Sequence, residues 1–126
     1  MTHGMIVWGT GSVGKAVLRN LLDYPAYEIA AVIVHTLDKD GRDLGEILGT
    51  DTTGIVVTRD VDAAFALEAD AVAYFGPSML HAEDNMRNLC AALRVGKNVV
   101  ETTMGAFQNP RRPPPRAARS RCVSFR

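Results

Sequence analysis

At 126 residues, with 47% hydrophobic and 22% charged residues, the chain has the composition of a soluble globular domain. Its length allows one domain and a real core, with little left for a separate substrate domain. No apolar run approaches membrane-spanning length, no signal peptide is expected before the first strand, and two cysteines suggest neither a disulfide framework nor a zinc site, so a cytoplasmic location follows by default.

Met5 to Trp8 is a short apolar run, the pattern of a strand buried on both faces. Gly9, Gly11 and Gly14 follow as G-x-G-x-x-G, and Ala16 to Leu22 carries helical periodicity. Gly9 suits the tight turn out of the strand, Gly11 a close approach of backbone to a pyrophosphate, and Gly14 close packing of helix on strand. The first-turn amides near Ser12 and Val13 would then face the phosphates with the positive end of the helix dipole. The motif alone is weak evidence. Its place between an N-terminal strand and a helix is the context it requires.

Tyr24-Pro25 ends this helix. Glu28 to His35 reads as a second strand, Thr36 to Thr53 as a polar loop with a helical turn at Arg42–Leu48, and Ile55 to Thr58 as a short third strand. Val61 to Leu67 is a short helix that Asp60 or Asp62 caps, and Ala69 to Phe75 is the fourth strand. Leu80 to Val95 is a longer helix with Met86, Leu89, Cys90 and Leu93 on one face, stopped by Gly96. Asn98 to Thr102 is the fifth strand. Strands alternating with helices predict an α/β fold: a Rossmann-type doubly wound parallel sheet of order 3-2-1-4-5, over residues 1–108.

The formal charge of zero hides an asymmetry. Residues 1–108 hold 8 basic and 14 acidic residues, a balance of −6, whereas residues 109–126 hold 6 arginines and no acid. The segment from Asn109 also holds four of the six prolines and no apolar periodicity, which predicts a disordered Arg/Pro-rich tail. Its abrupt composition reads as a frame-shifted continuation, with a native disordered tail as the alternative.

In such a sheet a ligand binds beyond the carboxyl ends of the strands, where the strand order reverses. Three loops therefore matter. The first is Gly9, Thr10, Gly11, Ser12, Val13 and Gly14. The second follows the second strand, where an acid would bind the ribose hydroxyls of NAD. This chain has His35 and Thr36 there, with Lys39 and Arg42 nearby, which leans towards the 2′-phosphate of NADP. Asp38 bending back would restore NAD, and a merely solvated loop explains the same charges. The third holds Phe75 and Gly76, with Thr102 to Gly105 behind it: Phe75 shields a nicotinamide ring and Gly76 lets the backbone approach, or both simply end a buried strand. His81 near this cleft reads as a helix-end residue. No catalytic set, metal-spaced cluster or carboxylate pair stands out.

G-T-G-S-V-G at Gly9–Gly14, G-R-D-L-G-E-I-L-G at Gly41–Gly49, D-T-T-G-I-V-V-T at Asp51–Thr58 and G-K-N-V-V-E-T-T at Gly96–Thr103 resemble the N-terminal domain of dihydrodipicolinate-reductase-like proteins. Within these the branch with 2,4-diaminopentanoate dehydrogenase and related amine dehydrogenases looks most similar, over about residues 4–107. The resemblance implies NAD(P)H-dependent hydride transfer to a C=N bond, or its reverse. By position it implies pyrophosphate at Gly9–Gly14, adenosine ribose at His35 and Thr36, and nicotinamide at Gly76 and Thr103. The family's second domain, which carries substrate-binding and catalytic residues, has no counterpart here, so no catalytic residue carries over. A non-catalytic NAD(P)-sensing module is the alternative reading. A nucleic-acid partner for the tail is disfavoured by the acidic body and the single tail aromatic, Phe125. The fifth strand, as an edge, is expected to promote self-association.

Overall fold

Alternating apolar residues in the first run divide between two cores, and the sheet is built around that division. The computed structural model describes residues 3–76 and 82–101. Strand β1 (His3–Trp8) lies between β2 (Tyr27–Ile33) and β3 (Ala71–Tyr74), and β4 (Asn98–Glu101) pairs with β3, giving the parallel order β2-β1-β3-β4. Ile6 and Trp8 point to one face with Ile33, Val72 and Tyr74, and Val7 points to the other with Val32 and Ala73. Period-two alternation with apolar residues on both faces is what a doubly covered parallel sheet demands.

Helices cover both faces. Helix α1 (Ser12–Leu22) places Leu18 in the second core, where α2 (Leu44–Leu48) adds Leu44 and Leu48. Helices α3 (Val61–Phe65) and α4 (Ala82–Arg94) cover the first face, contributing Ala64, Met86, Leu89, Cys90 and Ala92. Trp8 is central there: its ring meets Tyr74 and Phe65 edge-on, at centroid distances of 5.1 and 5.7 Å. Cys90 is buried as its helical position implied. No described helix is long and apolar enough to cross a membrane.

The expected third strand is corrected. Residues 55–58 lie beside β2, where the order 3-2-1-4-5 puts them, but as isolated bridges: Ile33 with Thr58, parallel, and Asp43 with Val56, antiparallel. The reason is a division of backbone groups. Thr58 exchanges bonds of 2.9 Å with Val32 and Val34, while Ile55 and Val57 bond back to Leu44, Arg42 and Gly41. One short segment serves two partners, and neither ladder extends.

That returning loop is fastened by Asp43. Its Oδ1 accepts from the N–H groups of Gly45 (2.7 Å) and Thr53 (2.9 Å) and the Thr53 hydroxyl (3.1 Å), and its Oδ2 accepts from the Gly54 N–H (2.9 Å). It therefore caps α2 and closes the loop at once. These bonds, with Thr53 foremost, hold its carboxyl below the usual aspartate range. The proposed tail at 109–126, with Thr102, Thr103 and His81, lies outside the described residues.

Candidate functional site

The turn from β1 into α1 is shaped by two glycines. Gly9 has φ +115°, and a Cβ there would strike the Phe75 carbonyl. A Cβ on Gly14 would strike the Gly9 carbonyl, so α1 starts close against the strand end. Gly11 is different: nothing lies within 4 Å of where its Cβ would be, and the space beside it is open.

Helix α1 also begins differently from the short helices. Asp43 caps α2 and Asp60 caps α3, each with an acid in the first turn. At α1 the N-cap is Gly11, no side chain caps it, and the first turn holds no acid. After the Gly9 amide, which bonds the Ile33 carbonyl, the next amide of the turn with an acceptor among the described residues is that of Lys15, on the Gly11 carbonyl. The amides between these two and the positive dipole end are left for an anion.

A cleft of about 210 Å³ opens at this point, lined by Gly9, Thr10, Gly11, His35, Thr36, Lys39, Phe75 and Gly76. All eight were singled out from the sequence, and they come from all three loops. Lys39 bridges two of them, its Nζ donating to Thr10 Oγ1 at 3.0 Å. Among the described residues of the lining it is the one with a permanent positive charge, and none is a carboxylate. His35 is held below the ordinary histidine range by partial burial and then by the neighbouring Arg59 guanidinium, so its ring is neutral at pH 7.

The floor at Gly76 is equally tight. A Cβ there would meet the Tyr74 ring and hydroxyl and Asn85 Oδ1. The Tyr74 hydroxyl donates to Asn85 Oδ1 at 2.7 Å and accepts from Asn88 Nδ2 at 3.0 Å, and burial pushes its phenol above the usual range. Gly76 therefore rests on a buried polar link between β3 and α4.

The remaining expected residues are placed as follows. Ser12 and Val13 are exposed on the first turn of α1, and Gly14 is buried behind them. Arg42 is exposed and outside the cleft lining. Asp38, the acid whose bending back would restore NAD, is exposed and also outside the described lining; the Thr36 hydroxyl beside it holds its carboxyl below the usual range. Arg59, which the sequence reading passed over, donates from Nε to the His35 carbonyl at 3.1 Å. The strand order carried the signal: the end of 55–58 must lie beside the tip of β2.

A family model described as dihydrodipicolinate reductase, N-terminus, matches residues 4–112. The chain belongs to this family. It is an NAD(P)-binding domain of the dehydrogenase-like kind, and the match runs four residues past the boundary expected at 108. An amine dehydrogenase of Streptomyces virginiae is 34% identical over 111 residues, covering 87% of this chain and 31% of that protein. The solved amine dehydrogenase of Mycobacterium smegmatis shares the fold at a TM-score of 0.71 and 23% identity, over 87% of this chain and 32% of that one. GenD2 of gentamicin A biosynthesis, solved with NAD, matches at a TM-score of 0.61 and 25% identity, over 79% and 26%. The chain thus spans about a third of the length of the relatives it matches.

Proposed function

We propose that the cleft binds NADP(H) in preference to NAD(H). The pyrophosphate lies over Gly9 to Gly14, the adenosine ribose against His35, Thr36 and Lys39, and the nicotinamide end against Phe75 and Gly76, with Thr103 beyond. The observation that carries this reading is the start of α1: uncapped, free of acid, and opening onto space beside Gly11. A helix N-terminus with those features stabilises a diphosphate through its amides and dipole. The lean to NADP rests on a lining whose described residues include one ammonium and no carboxylate, whereas a ribose diol is held by an acid at this place.

The protein to which this domain belongs is proposed to transfer hydride to or from a carbon–nitrogen centre, as the names of its amine dehydrogenase relatives suggest. When bound, the reduced cofactor would supply the hydride and the oxidised cofactor would accept it. This chain's residues bind and orient it: Phe75 and Gly76 cover the nicotinamide end, and Lys39 steadies the Thr10 turn. The edge strand β4, with Val100 58% exposed, is proposed as a site of self-association. Titrating the chain with NADPH and NADH, followed by cofactor fluorescence, tests the central reading. Saturable binding with NADPH the tighter ligand supports it, and no binding of either overturns it.

A further inference from the structure

Arg59 is an arginine among acids that pairs with none of them. Asp40 is taken by the Arg59 backbone N–H, which donates to its Oδ1 at 3.0 Å. The Thr36 hydroxyl beside Asp38 holds that carboxyl below the usual range. Asp60 caps α3 by accepting from the Ala63 N–H at 3.0 Å. The guanidinium forms no ion pair among the described residues. Its Nε is spent on the His35 carbonyl at 3.1 Å, which pins the charged fork to the tip of β2 beside a residue that lines the cleft. A guanidinium has five N–H groups, so four are left.

Lys39 is the second cation at this tip. Its ammonium is tethered to Thr10 Oγ1 at 3.0 Å and keeps further N–H groups free. Lys39 thus lies in the cleft lining against the glycine turn, and Arg59 stands just outside the lining on the His35 carbonyl. Such a pair facing only neutral ribose hydroxyls gains little. Facing a dianionic phosphate, a pinned planar fork and an ammonium each form charge-assisted bonds. We infer that Arg59 acts with Lys39 as the clasp for the 2′-phosphate of NADP(H), and that Arg59 determines the preference for NADP over NAD. This rests on the proposed binding of NADP(H) in the cleft. The neutral His35 ring fits the assignment, because it adds shape and stacking surface at the adenosine end without competing for the phosphate.

The test uses the full 126-residue chain. The probes are NADPH, NADH and the fragments 2′,5′-ADP and 5′-AMP, titrated against wild type, Arg59→Ala, Arg59→Lys and Arg42→Ala. Arg59→Ala is expected to weaken NADPH and 2′,5′-ADP by at least about tenfold, and NADH and 5′-AMP by less than about twofold. Arg59→Lys is expected to recover part of the loss, and Arg42→Ala to match wild type. A second reading needs no variant: raising salt from about 0.05 to about 0.5 M weakens 2′,5′-ADP far more than 5′-AMP on wild type. If wild type prefers NADPH and Arg59→Ala keeps that preference, or loses both cofactors equally, Arg59 only braces the His35 carbonyl and the inference fails alone. If wild type binds both cofactors equally, or neither, the underlying cofactor reading fails and takes the inference with it.

Discussion

The carbonyl oxygen of Gly9 fills the space that a side chain on Gly14 would need. That relationship separates two glycines of one motif by what each is for. Gly14→Ala forces the helix off the strand end, and overpacking of this kind costs about 1–3 kcal/mol of stability. Gly11→Val meets open space at an ordinary φ of −72°, so it folds, but its branched side chain stands where a pyrophosphate must approach. We expect at least about a tenfold loss of NADPH affinity for Gly11→Val, equal to about 1.4 kcal/mol. Urea denaturation and cofactor titration of both variants check the contrast. A Gly11→Val protein that binds as wild type does would refute the placement of the pyrophosphate.

Asp43 makes the 41–56 loop a pH-dependent element. Its folded-state pKa is depressed by the bonds it accepts, with Thr53 the largest cause. A depressed acid stabilises the fold fully above its unfolded value of about 3.9, and that contribution is lost as pH falls through the lower folded value. Asp43→Ala is expected to melt below wild type at pH 7, with the gap closing on acidification below about pH 4. Thermal melts followed by circular dichroism across that range measure it. A gap independent of pH would mean that packing, not the carboxylate, is what the variant loses.

The Tyr74 hydroxyl tests whether the floor under Gly76 is held by hydrogen bonds. Tyr74→Phe keeps the ring against Trp8 but takes a donor from Asn85 and an acceptor from Asn88. Losing these two hydrogen bonds costs about 1–3 kcal/mol. The denaturation midpoint should fall accordingly, and cofactor affinity should fall with it, since Gly76 sits directly on this link. Loss of stability with full affinity would show that the link serves the core and not the cleft.

How far the sequence could be read follows the range of the interactions involved. The turn at Gly9 to Gly14, the alternation in β1 and the helix faces rest on local spacing, and they were legible. So was the meeting of three loops, because strand order alone brings their ends together. The third strand was misjudged because its β-branched run does not reveal that residues 55–57 turn their backbone bonds to 41–44. Arg59 escaped a local reading for a related reason: it reaches the His35 carbonyl from 24 residues on. The role of Asp43 was not legible, since its bonds to Thr53 and Gly54 belong to the closed loop and not to the local pattern.

Lys97 lies in one of the segments that mark the family resemblance, and position in such a segment invites a functional role. Its surroundings argue otherwise. Its Nζ donates to the carbonyls of Leu67 and Ala69, at 3.1 and 3.3 Å, in the connection between α3 and β3. It follows Gly96, whose φ of +81° turns the chain out of α4 and into β4 at the end of the sheet where Asn98 pairs with Ala71. The cleft lies at the opposite end of the strands, beyond Trp8 and Tyr74. Lys97 therefore ties the entry of β3 to the entry of β4, and satisfies two carbonyls of the connection that leads into β3. Lys97→Met retains the aliphatic stem and removes the donors, so we expect a loss of about 1 kcal/mol in stability with NADPH and NADH dissociation constants within about twofold of wild type. Urea unfolding gives the first quantity and fluorescence titration the second. A stable variant with cofactor affinity reduced tenfold would reverse the assignment and place this lysine among the binding residues.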